Sequence, residues 1–210
     1  MVWRAGSSLV ACRGGRALLL AGGLALAASA CDPDDSGEPV DPLAGVAGCE
    51  DAREWTEEGA IFEARVLERI GEERRTGGRC GERTFPPQGP LPMDPELRCA
   101  ARLHSLDMAA DNYVGYVAED ALGVADRLDA VDYDYGLWAA TVGAGWTVAD
   151  HAVDSWLESE HHCWKLFAAE FDGVGVGVVV LPEPEAPPEG EEAVPAHRSY
   201  WTLVVGDEVR

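Results

Sequence analysis

The sequence predicts an α+β domain. Segments in which apolar residues recur at helical spacing lie mostly in the first half of the domain, and two segments with strand-like alternation lie near its end. An early group of helices followed by an antiparallel pair of strands is typical of this class, in which helices pack on an antiparallel sheet.

The first helix is predicted over residues 56–75. Acidic residues lead the segment and arginines close it, which suits the helix dipole. Gly77 and Gly78 end the helix, and a proline-rich loop follows. The apolar face comprises Phe62, Val66, Leu67 and Ile70.

A second helix is predicted to begin after Asp94, which caps it, with Pro95 at its first position. His104 falls on the apolar face of this helix and is interpreted as a hydrogen-bonded core histidine. That face comprises Leu97, Ala101, His104 and Met108.

The second half of the domain alternates between helices and strands. A short helix is predicted over residues 123–131, a strand of small residues over 137–145, and a helix opening at Thr147 with Asp150 completing a capping box. A short polar segment with paired histidines leads to the strand at 174–181, where glycines alternate with valines. Glycines on one strand face allow another element to approach closely. A mobile acidic loop (182–197) and a last strand, SYWTLVVGD, complete the domain.

The N-terminus predicts export. Three arginines without an acid precede an apolar core of about 14 residues, shorter than the roughly 20 that a membrane span needs. Residues 1–30 are therefore interpreted as a signal peptide. Ala28-Ser29-Ala30 fits ordinary cleavage, but the following Cys31 favours a lipoprotein signal in which Cys31 is acylated. Residues 31–51 are predicted to be an acidic, Pro/Gly-rich tether, and residues 52–206 to be the domain.

Four cysteines remain after the signal and Cys31, an even number that predicts disulfides in an oxidising compartment. Three pairings are possible. Pairing Cys80 with Cys99 is favoured because the two flank one proline-rich loop, which leaves Cys49 with Cys163. The absence of C-x-x-C spacing disfavours a structural zinc site.

The chain carries a formal charge of −22, which becomes −25 when a signal with three arginines and no acid is removed. This charge excludes nucleic acid and anionic membrane surfaces as partners, so that any membrane contact runs through the N-terminal lipid.

Five segments occur in the order typical of one known family: DPELRCAARLHSLDMAADNY, AVDYDYG, VDSWLES, FAAEFDGVGVGVV and YWTLVVG. In this order and spacing the chain resembles the CAP superfamily, which holds cysteine-rich secretory proteins, antigen 5 and plant pathogenesis-related proteins. The resemblance covers residues 54–206. It implies a three-layer α-β-α sandwich around a small central antiparallel sheet.

The resemblance also implies a cavity lined by two histidines and acidic residues, which in some members binds a divalent metal. Tyr116 stands where the first histidine belongs, and Ala140 replaces a glutamate. His162 matches the second histidine in the segment from Ser159 to Phe167, and Glu158 is the candidate acidic residue. Because zinc needs three or four converging N, S or O ligands, no metal and no other cofactor is expected.

These observations favour an exported, lipid-anchored module at the cell envelope that binds a protein or a small apolar ligand without catalysis. Two alternatives stay open, namely a metal-assisted hydrolase or protease of the same fold, and a carrier of a small apolar ligand such as a lipid or sterol. The second alternative depends on whether an aromatic cluster lines a groove or, as is commoner for aromatic residues, belongs to the core. That cluster comprises Tyr116, Tyr133, Tyr135, Trp138 and Trp146.

Overall fold

A computed structural model describes residues 41–118, 122–182 and 197–209. A single 3-10 turn at Glu50–Ala52 precedes the regular elements. In chain order these are α1 (Glu57–Thr76), β1 (Gly78–Cys80), β2 (Arg83–Phe85), α2 (Pro95–Ala110), α3 (Val124–Ala130), β3 (Tyr135–Ala144), α4 (Ala149–Glu158), α5 (Glu160–Phe167), β4 (Gly173–Val180) and β5 (Ser199–Glu208).

The central sheet has three antiparallel strands in the order β3-β5-β4. The last strand of the chain therefore lies in the middle, and Leu203 pairs with Thr141 on one side and with Val176 on the other. Strands β1 and β2 form a separate hairpin. Among the described strands, β3 is thus an edge of the sheet, so that part of its backbone is available to other partners.

Helices cover both faces of the sheet. Helices α1, α4 and α5 share one apolar core with the valines of β4, while α2, α3 and the segment around the 3-10 turn share another. The three-layer α-β-α sandwich and the α+β class are confirmed. Of the described helices, none is long and apolar enough to cross a membrane.

The glycines of β4 have the role that their alternation predicted. The side of β4 that carries Gly175 and Gly177 lies against the backbone of α2, and a Cβ atom on Gly177 would lie about 2.5 Å from the carbonyl group of Ala101. Val174, Val176 and Val178 point to the opposite core and are buried. This close approach fixes α2 on the sheet.

Glu63, on α1, is a fully buried carboxylate whose burial was not predicted from the sequence. It accepts hydrogen bonds from Arg102 at 2.9 and 2.8 Å and from Arg98 at 2.6 and 3.1 Å. Arg102 is itself buried, lies over the ring of Trp55 and donates to the carbonyl oxygen of Ala52. The cluster joins α1, α2 and the 3-10 turn.

The four predicted cysteines all form disulfides, but the predicted pairing was wrong. The bonds join Cys49 to Cys99 and Cys80 to Cys163. Proximity along the proline-rich loop misled the prediction, because that loop runs from one helical layer to the other. Cys80 and Cys163 lie in the core of α1, α4 and α5, whereas Cys49 and Cys99 lie in the core of α2 and α3.

The predicted tether was wrong for its last residues. Leu43, Val46 and Cys49 are buried against α2 and α3, so that the domain begins about nine residues before the predicted boundary at residue 52. Residues 31–40, the signal peptide, Cys31 and residues 183–196 of the acidic loop lie outside the described residues.

Three local predictions also differ from the structure. Val148 is the N-cap residue of helix α4 and no side-chain hydrogen bond caps the helix, while Asp150 pairs with Arg65 at 2.6 Å. The polar segment with paired histidines is itself a helix, α5. The proline-rich loop is preceded by the β1–β2 hairpin.

Candidate functional site

The candidate site is an open groove of about 250 Å³ at the β3 edge of the sheet. Strand β3 supplies its floor, α5 one wall, and the extended segment that follows α2 the other. Its lining residues are Tyr116, Trp138, Ala139, Ala140, His161 and Lys165. Two of the predicted cavity residues, Tyr116 and Ala140, are therefore brought together here.

Lys165 is the central charged group of this groove, and it was not among the cavity residues predicted from the sequence. Only 5% of the residue is exposed. Its Nζ donates to the carbonyl oxygen of Ala140 at 2.6 Å and to the hydroxyl of Tyr116 at 3.4 Å, and it lies 5.1 Å from the centre of the Tyr116 ring. Burial lowers the pKa of Lys165 to about 8. No carboxylate of the described residues pairs with it within 4 Å.

Two features of the sequence point to Lys165 after the fact. It is the only lysine among sixteen basic residues that are otherwise arginines. It also lies among the buried residues of α5, beside Leu166 and Phe167. Lysine is rarely buried without a partner, because an unpaired charge loses its hydration. A lone lysine on the apolar side of a short helix is therefore a signal for a special environment.

Tyr116 is held in place through His104. The Nε2 atom of His104 lies 2.8 Å from the carbonyl oxygen of Gly115, one residue before Tyr116. A carbonyl oxygen only accepts, so Nε2 carries the hydrogen. Burial lowers the pKa of His104, which favours the neutral ring. His104 is thus a buried, hydrogen-bonded core histidine, as predicted.

The paired histidines occupy different positions relative to the groove. His161 is exposed and lines it, whereas His162, the residue matched to the family motif, is half-buried and does not. On α5 the two precede Lys165 by four and three residues, spacings that place side chains on neighbouring positions of a helix surface. Burial, and then the charges of Lys165 and His161, lower the pKa of His162.

Glu158 is not part of the groove. It is exposed at the end of α4 and does not line the groove with Tyr116 and Ala140. A second, neighbouring groove of about 420 Å³ shares His161 and is otherwise lined by Arg83, Glu160 and Trp164. The Arg83 guanidinium lies 5.6 Å from the centre of the Trp164 ring.

The predicted aromatic cluster is divided between the two faces of the sheet. Tyr133, Tyr135 and Trp138 form a chain of ring contacts with Tyr133 buried, and Trp138 extends it to the groove. Trp146 lies on the opposite face against Trp156 and Trp201. The core interpretation is therefore confirmed for Tyr133, and Trp146 packs half-buried against the core of α1, α4 and α5. Tyr116 and Trp138 provide the aromatic walls of the groove.

The donor set of the groove does not fit a divalent cation. It offers one phenol, one exposed imidazole and one ammonium group, and the ammonium is a cation with no lone pair to give. Within the described part of the chain, no group of three or more histidine, cysteine, aspartate or glutamate residues converges as metal ligands would. The expected absence of metal binding stays a prediction.

Comparison with known proteins identifies the fold. The model of the cysteine-rich secretory protein family, CAP, matches residues 86–186. The structure is similar to that of an extracellular protein with an SCP domain from Bacillus anthracis, with a TM-score of 0.55 and 18% identity over 71% of this chain and 41% of that one. It is also similar to an outer surface protein of Borrelia burgdorferi, with a TM-score of 0.53 and 13% identity over 73% of this chain and 95% of that one.

Two further relatives are longer proteins, and this chain matches only part of each. A cysteine-rich secretory protein of Staphylococcus aureus aligns with a TM-score of 0.50 and 20% identity over 73% of this chain and 40% of that one. One curated relative is an uncharacterized membrane protein, YlbC, of Bacillus subtilis (strain 168), 31% identical over 75 residues. The match covers 36% of this chain and 22% of the relative's length, so no conclusion about the activity of this chain follows from it.

Proposed function

We propose that this chain, which belongs to the CAP superfamily of cysteine-rich secretory proteins, is a non-catalytic binding module on the outer side of the cell membrane. One observation carries the proposal: the buried ammonium of Lys165 lies in the groove where the family pattern has metal-binding and acidic side chains. The described residues of this groove form a recognition surface, and the parts of a hydrolytic centre are not among them.

The missing parts can be named from chemistry. Hydrolysis needs a metal-bound water, or a nucleophile with a general base in hydrogen-bond reach and a group that orients that base. Cys163 is consumed in a disulfide, Glu158 does not line the groove, and the hydrogen-bond partners of Lys165 are a carbonyl oxygen and a phenol. None of these partners activates a water or a nucleophile.

Export is the second part of the proposal. Two disulfides in one small domain suit an oxidising compartment. Two of the similar structures are described as an extracellular protein and an outer surface protein. Acylation of Cys31 would hold the module at the envelope. A Cys31→Ala variant that partitions into detergent as the native protein does would exclude the lipid anchor.

Binding through the groove is tested by co-sedimentation of the purified chain with the cell-envelope fraction of the producing cell. We expect Trp138→Ala to lose binding, since this ring forms a wall of the groove. Leu137→Ala is the matched control, because Leu137 is an exposed neighbour in the same strand that does not line the groove. Equal binding by both variants would contradict the proposal.

Catalysis is tested separately on peptide and ester substrates. We expect no turnover above background. Turnover that is lost in His161→Ala, with the variant still folded, would overturn the non-catalytic assignment. A carrier role for this groove is disfavoured by size, because its volume of about 250 Å³ is below the roughly 300–1,000 Å³ of pockets that enclose drug-sized ligands. A sterol or lipid found by mass spectrometry in the purified protein would restore it.

A further inference from the structure

We propose that the groove binds an anionic group, a carboxylate or a phosphate, which accepts a hydrogen bond from Lys165 Nζ while the rest of the ligand packs on Trp138 and Tyr116. The inference rests on the proposed function as a binding module and names the ligand class. It reverses the charge preference of the family cavity, from a cation held by carboxylate and imidazole to an anion held by an ammonium group.

The hydrogen-bond count of Lys165 leaves room for such a ligand. A lysine ammonium has three hydrogens to donate. The carbonyl oxygen of Ala140 and the hydroxyl of Tyr116 account for two of them, and the described residues supply no partner for the third. A ligand oxygen in the groove would complete the set, and a charged oxygen would form the stronger bond.

The charge environment favours an anion over a neutral acceptor. A buried cation is costly unless an opposite charge accompanies it. Among the residues that the structure describes, the titratable groups around Lys165 are Tyr116 on the facing segment and His161 and His162 on its own helix, and none of these carries a negative charge at neutral pH. A bound carboxylate or phosphate would supply the missing counter-charge.

The rest of the ligand is constrained by the walls. Trp138 and the ring of Tyr116 present apolar faces within a groove of about 250 Å³ that is open to solvent. A flat or apolar body next to the acidic group suits these walls. The volume admits a small molecule or the acidic end of a longer one.

Because Lys165 is the only lysine of the chain, labelling with lysine enriched in ¹⁵Nζ and ¹³Cε gives a single side-chain signal. The purified full chain is titrated with benzoate and with benzamide, which share shape but differ in charge. We expect benzoate to shift the Lys165 signal saturably and benzamide to bind at least about tenfold more weakly, the loss expected when a charged hydrogen bond is removed. Phenyl phosphate, titrated in parallel, decides between carboxylate and phosphate.

Matched variants distinguish specific binding at Lys165 from a general effect of the net charge on anion binding. Lys165→Met should lower benzoate affinity, measured by calorimetry, at least about tenfold, and Lys165→Arg should recover part of it. Arg83→Met changes the net charge by the same amount, but Arg83 lies in the neighbouring groove. The affinity of this variant for benzoate should therefore stay within about twofold of the native value. Melting curves of all three variants establish that they are folded.

Equal affinity for benzoate and benzamide, or equal losses in Lys165→Met and Arg83→Met, would overturn the proposal. Failure of the proposed function gives a different result. If Trp138→Ala abolishes envelope binding while no anion shifts the Lys165 signal, the module binds through its aromatic walls and only the anion site is refuted. If Trp138→Ala leaves envelope binding unchanged, the proposed function itself fails.

Discussion

Replacing Lys165 with methionine tests whether the buried charge of this lysine destabilises the folded domain. Burial lowers the pKa of this lysine from 10.5 to about 8. One pKa unit corresponds to about 1.4 kcal/mol, so the charged lysine costs the folded state on the order of 3 kcal/mol at pH 7. Methionine fills a similar volume without the charge, at the expense of the hydrogen bond to Ala140. We therefore expect the Lys165→Met variant to be more stable than the native protein by about 1–3 kcal/mol at pH 7.

The pH dependence isolates this effect. Between the folded pKa of about 8 and the unfolded value near 10.5, the unfolded chain binds more protons than the folded one, so the free energy of unfolding rises with pH. The cost is complete well below pH 8 and is relieved as the lysine deprotonates. From pH 7 to pH 9.5 the advantage of the Lys165→Met variant should shrink by about 2 kcal/mol.

The assay is urea denaturation with the disulfides intact, at pH 7 and at pH 9.5, on the native chain and the variant. Tyrosine titration affects both proteins and cancels in the difference. Arg83→Met serves as the control, because Arg83 is exposed and its removal should change stability by no more than about 0.5 kcal/mol at either pH. A Lys165→Met variant that is less stable at pH 7, by an amount that does not change at pH 9.5, would refute the reasoning.

Three further changes test the scaffold and the cavity. Glu63→Gln should destabilise the domain by about 3–5 kcal/mol in urea denaturation, since it leaves the buried Arg102 and the half-buried Arg98 without their counter-charge; a loss below about 1 kcal/mol would contradict this. Gly177→Ala should cost about 1–3 kcal/mol through its clash with α2, whereas Gly89→Ala, where nothing lies within 4 Å, should be close to neutral; equal effects would contradict the close approach. Zinc titration by calorimetry should give no micromolar binding, and such binding abolished in His162→Ala would show that the cavity retains a metal site.

Local physics was sufficient to predict most of the regular structure. The capping of α2 by Asp94, with Pro95 at its first position, is readable because the cap and the helix start lie within a few residues. The alternation of β4 likewise predicted both a buried valine face and a glycine face for another element. Such patterns involve residues that are close in the sequence, and they do not depend on contacts with distant segments.

Contacts between distant segments were not readable in the same way. The disulfide pairing depends on which layer each cysteine enters, and the chain changes layers between β2 and α2, which separates Cys80 from Cys99. The buried Glu63 looks like an ordinary helix acid until Arg98 and Arg102, more than thirty residues later, come to lie against it. In the site, Tyr116 and Ala140 were found through the family pattern, whereas Lys165 required the fold, since its burial is a property of the assembled layers.

The position of Lys165 depends on how a very short helix is held. Helix α5 has eight residues, too few to be stable alone in water. The disulfide between Cys80 and Cys163 joins it to the hairpin. At its C-terminal end, Arg74 on α1 donates to the carbonyl oxygens of Leu166 and Ala168 at 2.8 and 3.2 Å, which satisfies groups that a helix end leaves unpaired.

These restraints act on residues immediately beside Lys165. The disulfide is two positions before it, and the first carbonyl held by Arg74 is one position after it. The groove side of α5 is therefore fixed from both directions, which holds the ammonium against Ala140 and Tyr116. Because a preformed site loses little conformational entropy on binding, even a small anion with few contacts can be bound with measurable affinity. The scaffold thus makes a weakly contacting ligand a reasonable occupant of so small a groove.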